Sequence, residues 1–163
     1  MIDKQEMRQA LGHFATGVTV VTTTDRFGEP VGVTVSSFNS VSLEPPLVLW
    51  SIARSSYSCD VFSAATHFAV HVLGAEQRDL SDRFARASSD KFAGLELEKG
   101  INSLPLLPDC PARFQCAIEN CYEGGDHLIF IGRVMNLDSS EDSSDPLLFY
   151  RSRYAAVQSA ETC

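Results

Sequence analysis

From Val31 to Ser36 apolar residues alternate with small or hydroxylated ones, and a serine-bearing stretch, Ser36-Ser37-Phe38-Asn39-Ser40-Val41-Ser42, follows directly. A period of two puts alternate side chains on opposite faces of a strand, so this run is a strand with one face in a core. The other face carries Gly32, Thr34 and Ser36, small enough for something to lie close against the backbone. Pro45-Pro46 then fixes a turn before a second apolar run, Leu47-Val48-Leu49-Trp50. A flat polar ring with carbonyls and N–H groups along one edge fits such a surface.

The rest of the chain reads mainly as strands. Asp3 to Phe14 predicts a short helix, capped by Asp3 and Glu6, with Met7, Leu11 and Phe14 at helical spacing. Val18 to Thr24 is a β-branched strand, and Asp25 to Pro30 is the hairpin loop that joins it to the Val31–Ser36 strand. Leu47 to Ala53 predicts a buried strand, and Ser55-Ser56 a cap on a helix carrying Tyr57, Val61 and Ala64 on one side. His67 to Leu73 alternates again, and Gln77 to Ala87 is helical. Ser88 to Pro111, with two glycines, two further prolines and little periodicity, predicts a long excursion of the kind used for binding or partner contacts. Ala112 to Tyr122 and His127 to Leu137 are strands, Ser139 to Asp145 is an acidic link, and Leu147 to Tyr150 is a last strand or a helix start. No repeat or boundary divides residues 1–157, and 158–163 reads as a tail. Strands joined by hairpin-like links suggest a closed or nearly closed antiparallel barrel, although strand spacing does not separate that from a sandwich.

Charge and cysteine usage narrow the partners. A net charge of −8 argues against a general nucleic-acid binder, which needs a basic face. No apolar run approaches the ~18 residues that would span a membrane as a helix, and Met1 to Glu6 lacks the apolar core of a signal peptide, so a cytoplasmic address is expected. The five cysteines have no C-x-x-C spacing and read as reduced thiols, with no metal site expected. His67 and His71 share a strand face about 13 Å apart, too far for one ion.

Several residues are placed for chemistry. Ser51 to Ser58 runs from a strand through a serine-bearing turn toward a helix N-terminus, whose N–H groups attract anions. Arg54 adds charge there, and Ser56 and Ser58 add hydroxyls. Arg83 and Lys91 are further cations suited to phosphate, or equally to a solvated face. Gly124-Gly125-Asp126-His127 frees the backbone just before a strand, so a ring can approach His127, with Asp126 placed to orient it. There is no G-x-G-x-x-G after a strand and no G-x-x-x-x-G-K, so a Rossmann or P-loop nucleotide site is not expected.

Taken in order, Arg8…Ala10-Leu11-Gly12…Phe14-Ala15-Thr16-Gly17-Val18, the serine-bearing segment, Gly125-Asp126-His127 with Gly132, and Leu147 to Tyr154 resemble the short-chain flavin reductases, the reductase components of two-component monooxygenases. The resemblance runs from about Arg8 to Val157. It implies a mainly β fold, an FMN-binding split β-barrel of Greek-key type with a few short helices, working as a homodimer. It implies transfer of hydride from NADH, or alternatively NADPH, to FMN or FAD, and supply of reduced flavin to a separate monooxygenase. The same barrel could instead be a non-enzymatic FMN-binding electron carrier. By analogy Thr34, Val35, Ser36 and Ser37 hold the pyrimidine edge of the flavin, and Ser51, Ala53, Arg54, Ser56 and Ser58 lie near its phosphate. Arg83, Phe84, Lys91 and Tyr154 are further candidates to approach the cofactor, although the helical spacing of Phe84 is more often that of a core residue. His127, with Asp126, sits beside the nicotinamide or flavin. Many relatives carry Gly where this chain has Ser152, which leaves the turn there open.

Overall fold

A computed structural model describes residues 1–141 and 145–158. Most of the expected tail 158–163, and part of the Ser139–Asp145 link, lie outside the described residues. The strands in chain order are β1 (Thr16–Gly17), β2 (Thr19–Thr24), β3 (Pro30–Val35), β4 (Asn39–Leu43), β5 (Pro46–Ala53), β6 (His67–Val72), β7 (Glu98–Lys99), β8 (Pro105–Leu106), β9 (Ala112–Gly124), β10 (His127–Ser139), β11 (Leu148–Tyr150) and β12 (Arg153–Ala155). The helices are α1 (Lys4–Leu11), α2 (Cys59–Ala64) and α3 (Arg78–Phe84). None of them is long and apolar enough to cross a membrane.

Seven strands form one antiparallel sheet in the order β3-β2-β6-β9-β10-β5-β4. Its two edge strands, β3 and β4, are consecutive in the chain and joined only by Ser36, Ser37 and Phe38. Laid flat, six strand spacings would separate those edges by about 29 Å. The connection from Val35 to Asn39 spans at most about 14 Å. The sheet must therefore roll until its edges meet, leaving a seam between β3 and β5. Ser37 stitches that seam: its hydroxyl donates to the Ser51 carbonyl and accepts from the Ser51 N–H, both at 2.9 Å. The result is the barrel, split along one side, that the resemblance implies.

The alternating positions of the strands fill the barrel. Val21, Val48, Trp50, Ile52, Phe68, Val70, Cys116 and Phe130 form its core with Phe62 of α2. Trp50 stacks on Phe130 at 5.1 Å and meets Phe62 and Phe68 edge-on. The opposite face of β2 and β6 is covered by the second half of the Ser88–Pro111 excursion, which is thus partly core, while Ser88 to Asp90 and several later residues stay exposed. Leu104 and Leu106 pack on Ala69, and Thr22 donates to the Pro105 carbonyl at 2.6 Å. His71, fully buried, accepts from Leu107 N–H at Nε2 (3.1 Å) and donates from Nδ1 to the Val20 carbonyl (3.0 Å). Two such bonds require a neutral ring, and burial pulls its pKa down to about 4.

Several expectations are corrected. α1 is shorter than the sequence predicts, with Asp3 alone capping the N–H groups of Gln5 and Glu6. It buries no residue, and Met7, Leu11 and Phe14 face outward. The helix after Ser55-Ser56 starts only at Cys59, because residues 54–58 form turns instead. β4 was hidden in the serine-bearing stretch, although Val41 and Leu43 alternate within it. The Leu147–Tyr150 region is a strand, β11, and it turns back into β12 through Arg151 and Ser152. Both have positive φ, 48° and 62°, as a two-residue type I′ hairpin demands. The four described cysteines are free thiols. No three His, Cys, Asp or Glu converge among the described residues.

Candidate active site at the barrel seam

The seam leaves a cleft of about 300 Å³. Its floor is apolar: Val33 and Val35 from β3 and Ile52 from β5. Its rim is polar and almost uncharged, formed by Ser36, Ser37, Ser51, Ser56 and His127. No carboxylate lines it. As an edge strand, β3 presents backbone N–H and C=O groups that no neighbouring strand takes. An apolar floor with a few convergent polar groups is how a flat heteroaromatic ligand is usually held. A cavity of about 510 Å³ beside Phe27, Val61 and His67 is larger, but it gathers none of the residues expected to hold a cofactor.

His127 reaches the rim because β10 pairs with β5, setting His127 opposite Ala53. Gly125 has φ +66° at the first central position of the two-residue turn joining β9 to β10, the place a type II′ turn reserves for glycine. His127 is half exposed, and its Nδ1 lies 2.7 Å from Asp126 Oδ1. That contact leaves Nε2 as the ring's open atom and holds the Asp126 carboxyl below the usual carboxylate range.

Arg54 is tied into the same turn. Its N–H donates to the Asp126 carbonyl at 2.9 Å and its Nε to the Gly125 carbonyl at 3.3 Å. Its Nη2 pairs with Glu123 at 3.0 Å. The residue expected to meet a phosphate thus clasps the His127 hairpin, and it does not line the cleft.

The other expected contacts divide. Thr34, Val35, Ser36, Ser37, Ser51, Ala53 and Ser56 do line the cleft. The Thr34 hydroxyl is already spent on the Ser81 carbonyl at 2.7 Å. Ser58 is buried under the turn and does not line it. Phe84 is fully buried, edge-on to Phe92 at 4.8 Å. Its ring occupies the space a Cβ at Gly32 would need, only 2.6 Å away. The small open face of β3 thus receives a side chain of the same protein, and α3 covers it. Lys91 is also buried, with Nζ donating to the Gly32 and Phe84 carbonyls at 3.0 and 3.1 Å, and burial lowers its pKa. Arg83 donates to the Ala93 carbonyl at 2.9 Å and lines a separate surface pocket. Tyr154 donates to Asp82 at 2.6 Å and lies 2.8 Å from the Ser81 hydroxyl, joining β12 to α3. Sequence reasoning missed Glu123, Ser81 and Asp82, which act through these partners and carry no motif of their own.

A rolled antiparallel sheet with an apolar-floored, polar-rimmed cleft at its split defines a split barrel with room for a flat ligand at its rim. Residues 11–158 match the model of the flavin reductase like domain, and the chain belongs to that family. It is 48% identical over 147 residues to "FMN reductase (NADH) SmoA" of Agrobacterium fabrum, covering 90% of this chain and 82% of that protein. It is 39% identical over 161 residues to the "Flavin-dependent monooxygenase, reductase subunit HsaB" of Rhodococcus jostii, covering 99% and 82%. Among solved structures, the Streptomyces globisporus NADH:FAD oxidoreductase SgcE6, in complex with NAD and FAD fragments, superposes with a TM-score of 0.90 at 37% identity, covering 98% of this chain and 96% of that one. The chain spans only about half the length of other curated relatives, 45% of a "Probable flavin reductase" of Rhizobium meliloti.

Proposed function

We propose that the chain is an NADH-dependent flavin reductase that takes FMN or FAD at the seam and supplies reduced flavin to a separate flavin-dependent monooxygenase. The observation that carries this reading is the cleft itself: an apolar floor, a serine rim, an unpaired strand edge and His127 in one place. The names of the relatives and the NAD and FAD fragments in SgcE6 support it. Bound there, flavin supplies a hydride acceptor for the nicotinamide, so the protein needs no nucleophile and no metal of its own.

The chain's part is position. Val33, Val35 and Ile52 exclude water from beneath the ring. The β3 edge and the Ser36 hydroxyl offer hydrogen bonds to its polar edge. Ser51, Ala53 and Ser56 continue the rim along the direction a ribityl phosphate would take. His127 Nε2, with Nδ1 fixed by Asp126, offers one hydrogen bond to the carboxamide of a nicotinamide lying over the ring. No cationic cluster lines the cleft to receive a 2′-phosphate, which favours NADH over NADPH.

The test is an anaerobic assay with purified protein and excess flavin, pairing FMN or FAD with NADH or NADPH and following the absorbance of the reduced nicotinamide. Oxidation of many nicotinamides per chain supports the reductase. Tight flavin binding with no oxidation of either nicotinamide would mean an electron carrier.

We also infer that the chain works as a homodimer. Leu43 at the β4 edge is 94% exposed, and Val41, Met135 and Leu137 are exposed with it. An apolar strand edge of this kind favours association with a second copy. Light scattering on Leu43→Asp and Met135→Asp tests this, with a shift to monomer expected.

A further inference from the structure

We propose that the notch between α1 and the β11–β12 turn is a binding site for a phosphate dianion, separate from the seam cleft. It is a cavity of about 440 Å³ walled by Arg8, His13 and Arg151, with Gln5, Gln9 and Ser152 and the backbone at Gly12 completing its lining. Two guanidinium groups, an imidazole, two carboxamides and a hydroxyl are all groups that can donate to an oxyanion, and no carboxylate lines the cavity. The chain as a whole carries a net charge of −8, so this notch is of opposite sign to the molecule around it. Guanidinium forks match phosphate oxygens in shape as well as charge.

The arrangement is held in place. The Arg151 N–H donates to the Gly12 carbonyl at 3.0 Å, fastening the turn to the end of α1. The Arg151 Nη2 lies 3.1 and 3.2 Å from the two ring nitrogens of His13. Arg151 and Ser152 both sit at left-handed φ, where glycine would be more comfortable but would bring neither the guanidinium nor the hydroxyl. A cation at the C-terminal end of a helix is favourable by itself. That accounts for one of these groups, and a second guanidinium facing the same cavity gives an anion two cations to bridge.

The phosphate could be free or the end of a nucleotide, and titration separates the two. Calorimetry on the full chain without flavin, at constant ionic strength in chloride, uses inorganic phosphate in one arm and ADP in the other. Saturable binding near one per chain is expected, weakened at least tenfold by Arg8→Gln and by Arg151→Gln and unchanged by Arg26→Gln on the far hairpin loop. Equal affinity in both arms identifies free phosphate; tighter binding of ADP identifies a nucleotide. Failure of both arms to saturate overturns the proposal, as does binding indifferent to both variants or lost instead in His127→Ala. Light scattering run alongside adds one more adverse result: if either arginine variant dissociates a dimer, the cations bridge two copies. None of these readouts depends on flavin reduction, so the proposed reductase activity stands or falls apart from this site.

Discussion

His127 Nδ1 lies 2.7 Å from Asp126 Oδ1, so the ring turns its other nitrogen outward at the edge of the seam cleft. Replacing His127 with Ala removes the hydrogen bond proposed for the nicotinamide and leaves the cleft floor intact. We expect kcat/KM for NADH to fall about tenfold, the effect of ~1.4 kcal/mol, with the flavin Kd changed less than threefold. Equal losses in both would show that His127 supports the flavin itself. Asp126→Asn should give a smaller fall in the same direction.

Arg54 holds the Gly125-Asp126 turn through two carbonyls and Glu123. The sequence alone expects Arg54→Ala to weaken flavin binding directly. The clasp predicts instead a rise in KM for NADH that resembles the His127 variant, with little effect on flavin affinity. Stopped-flow flavin binding beside steady-state NADH kinetics decides between them, and Glu123→Gln should reproduce part of the effect.

His71 predicts how stability responds to acid. Folded, its pKa is pulled down to about 4; unfolded, it returns to the ordinary value of 6.5. Between these values the unfolded chain binds more protons, so this residue's contribution is complete above about pH 6.5 and drains away as pH falls to about 4. The loss is on the order of 3 kcal/mol, because two states whose pKa values differ by one differ in proton affinity by ~1.4 kcal/mol. Urea midpoints measured from pH 7 to pH 4 should fall steeply, and His71→Gln should flatten that slope while lowering stability at pH 7. A His71→Gln slope as steep as the parent's would assign the acid sensitivity to other groups.

At Gly32 an added methyl would meet the Phe84 ring at 2.6 Å. Gly32→Ala should therefore cost about 1–3 kcal/mol by overpacking. Phe84→Leu alone opens a cavity, but combined with Gly32→Ala it should recover part of the loss. A double-mutant cycle on thermal unfolding should show coupling of roughly 1 kcal/mol or more, and strict additivity would separate the two residues.

The same pair marks where sequence reading stopped. Gly32, Thr34 and Ser36 announce a strand face small enough for close approach, but not that the face is already filled within the chain. What fills the face is Phe84, more than fifty residues later in the chain, and one strand's pattern carries no information about it. Lys91 shows the same limit. A lysine reads as a solvated cation or a phosphate ligand until the fold brings two carbonyls to its Nζ. The Gly125-Asp126-His127 turn was legible because its demands are local: a glycine at positive φ and a neighbouring carboxylate.

Alternation and turn residues in the chain thus determined most of the long strands, the tight hairpin that carries His127 and the serines that line one edge. Local backbone geometry decides such features, and it acts over a few residues. Tertiary structure alone decided that β3 and β4 become opposite edges of one sheet, since strand pairing is fixed by contacts between distant segments. A three-residue link between those edges forces the sheet to roll, and the cleft exists only along the seam where it closes. The same long-range packing made Arg54 a clasp and Phe84 a core ring, because neighbours in space, not in sequence, set what a side chain has left to offer.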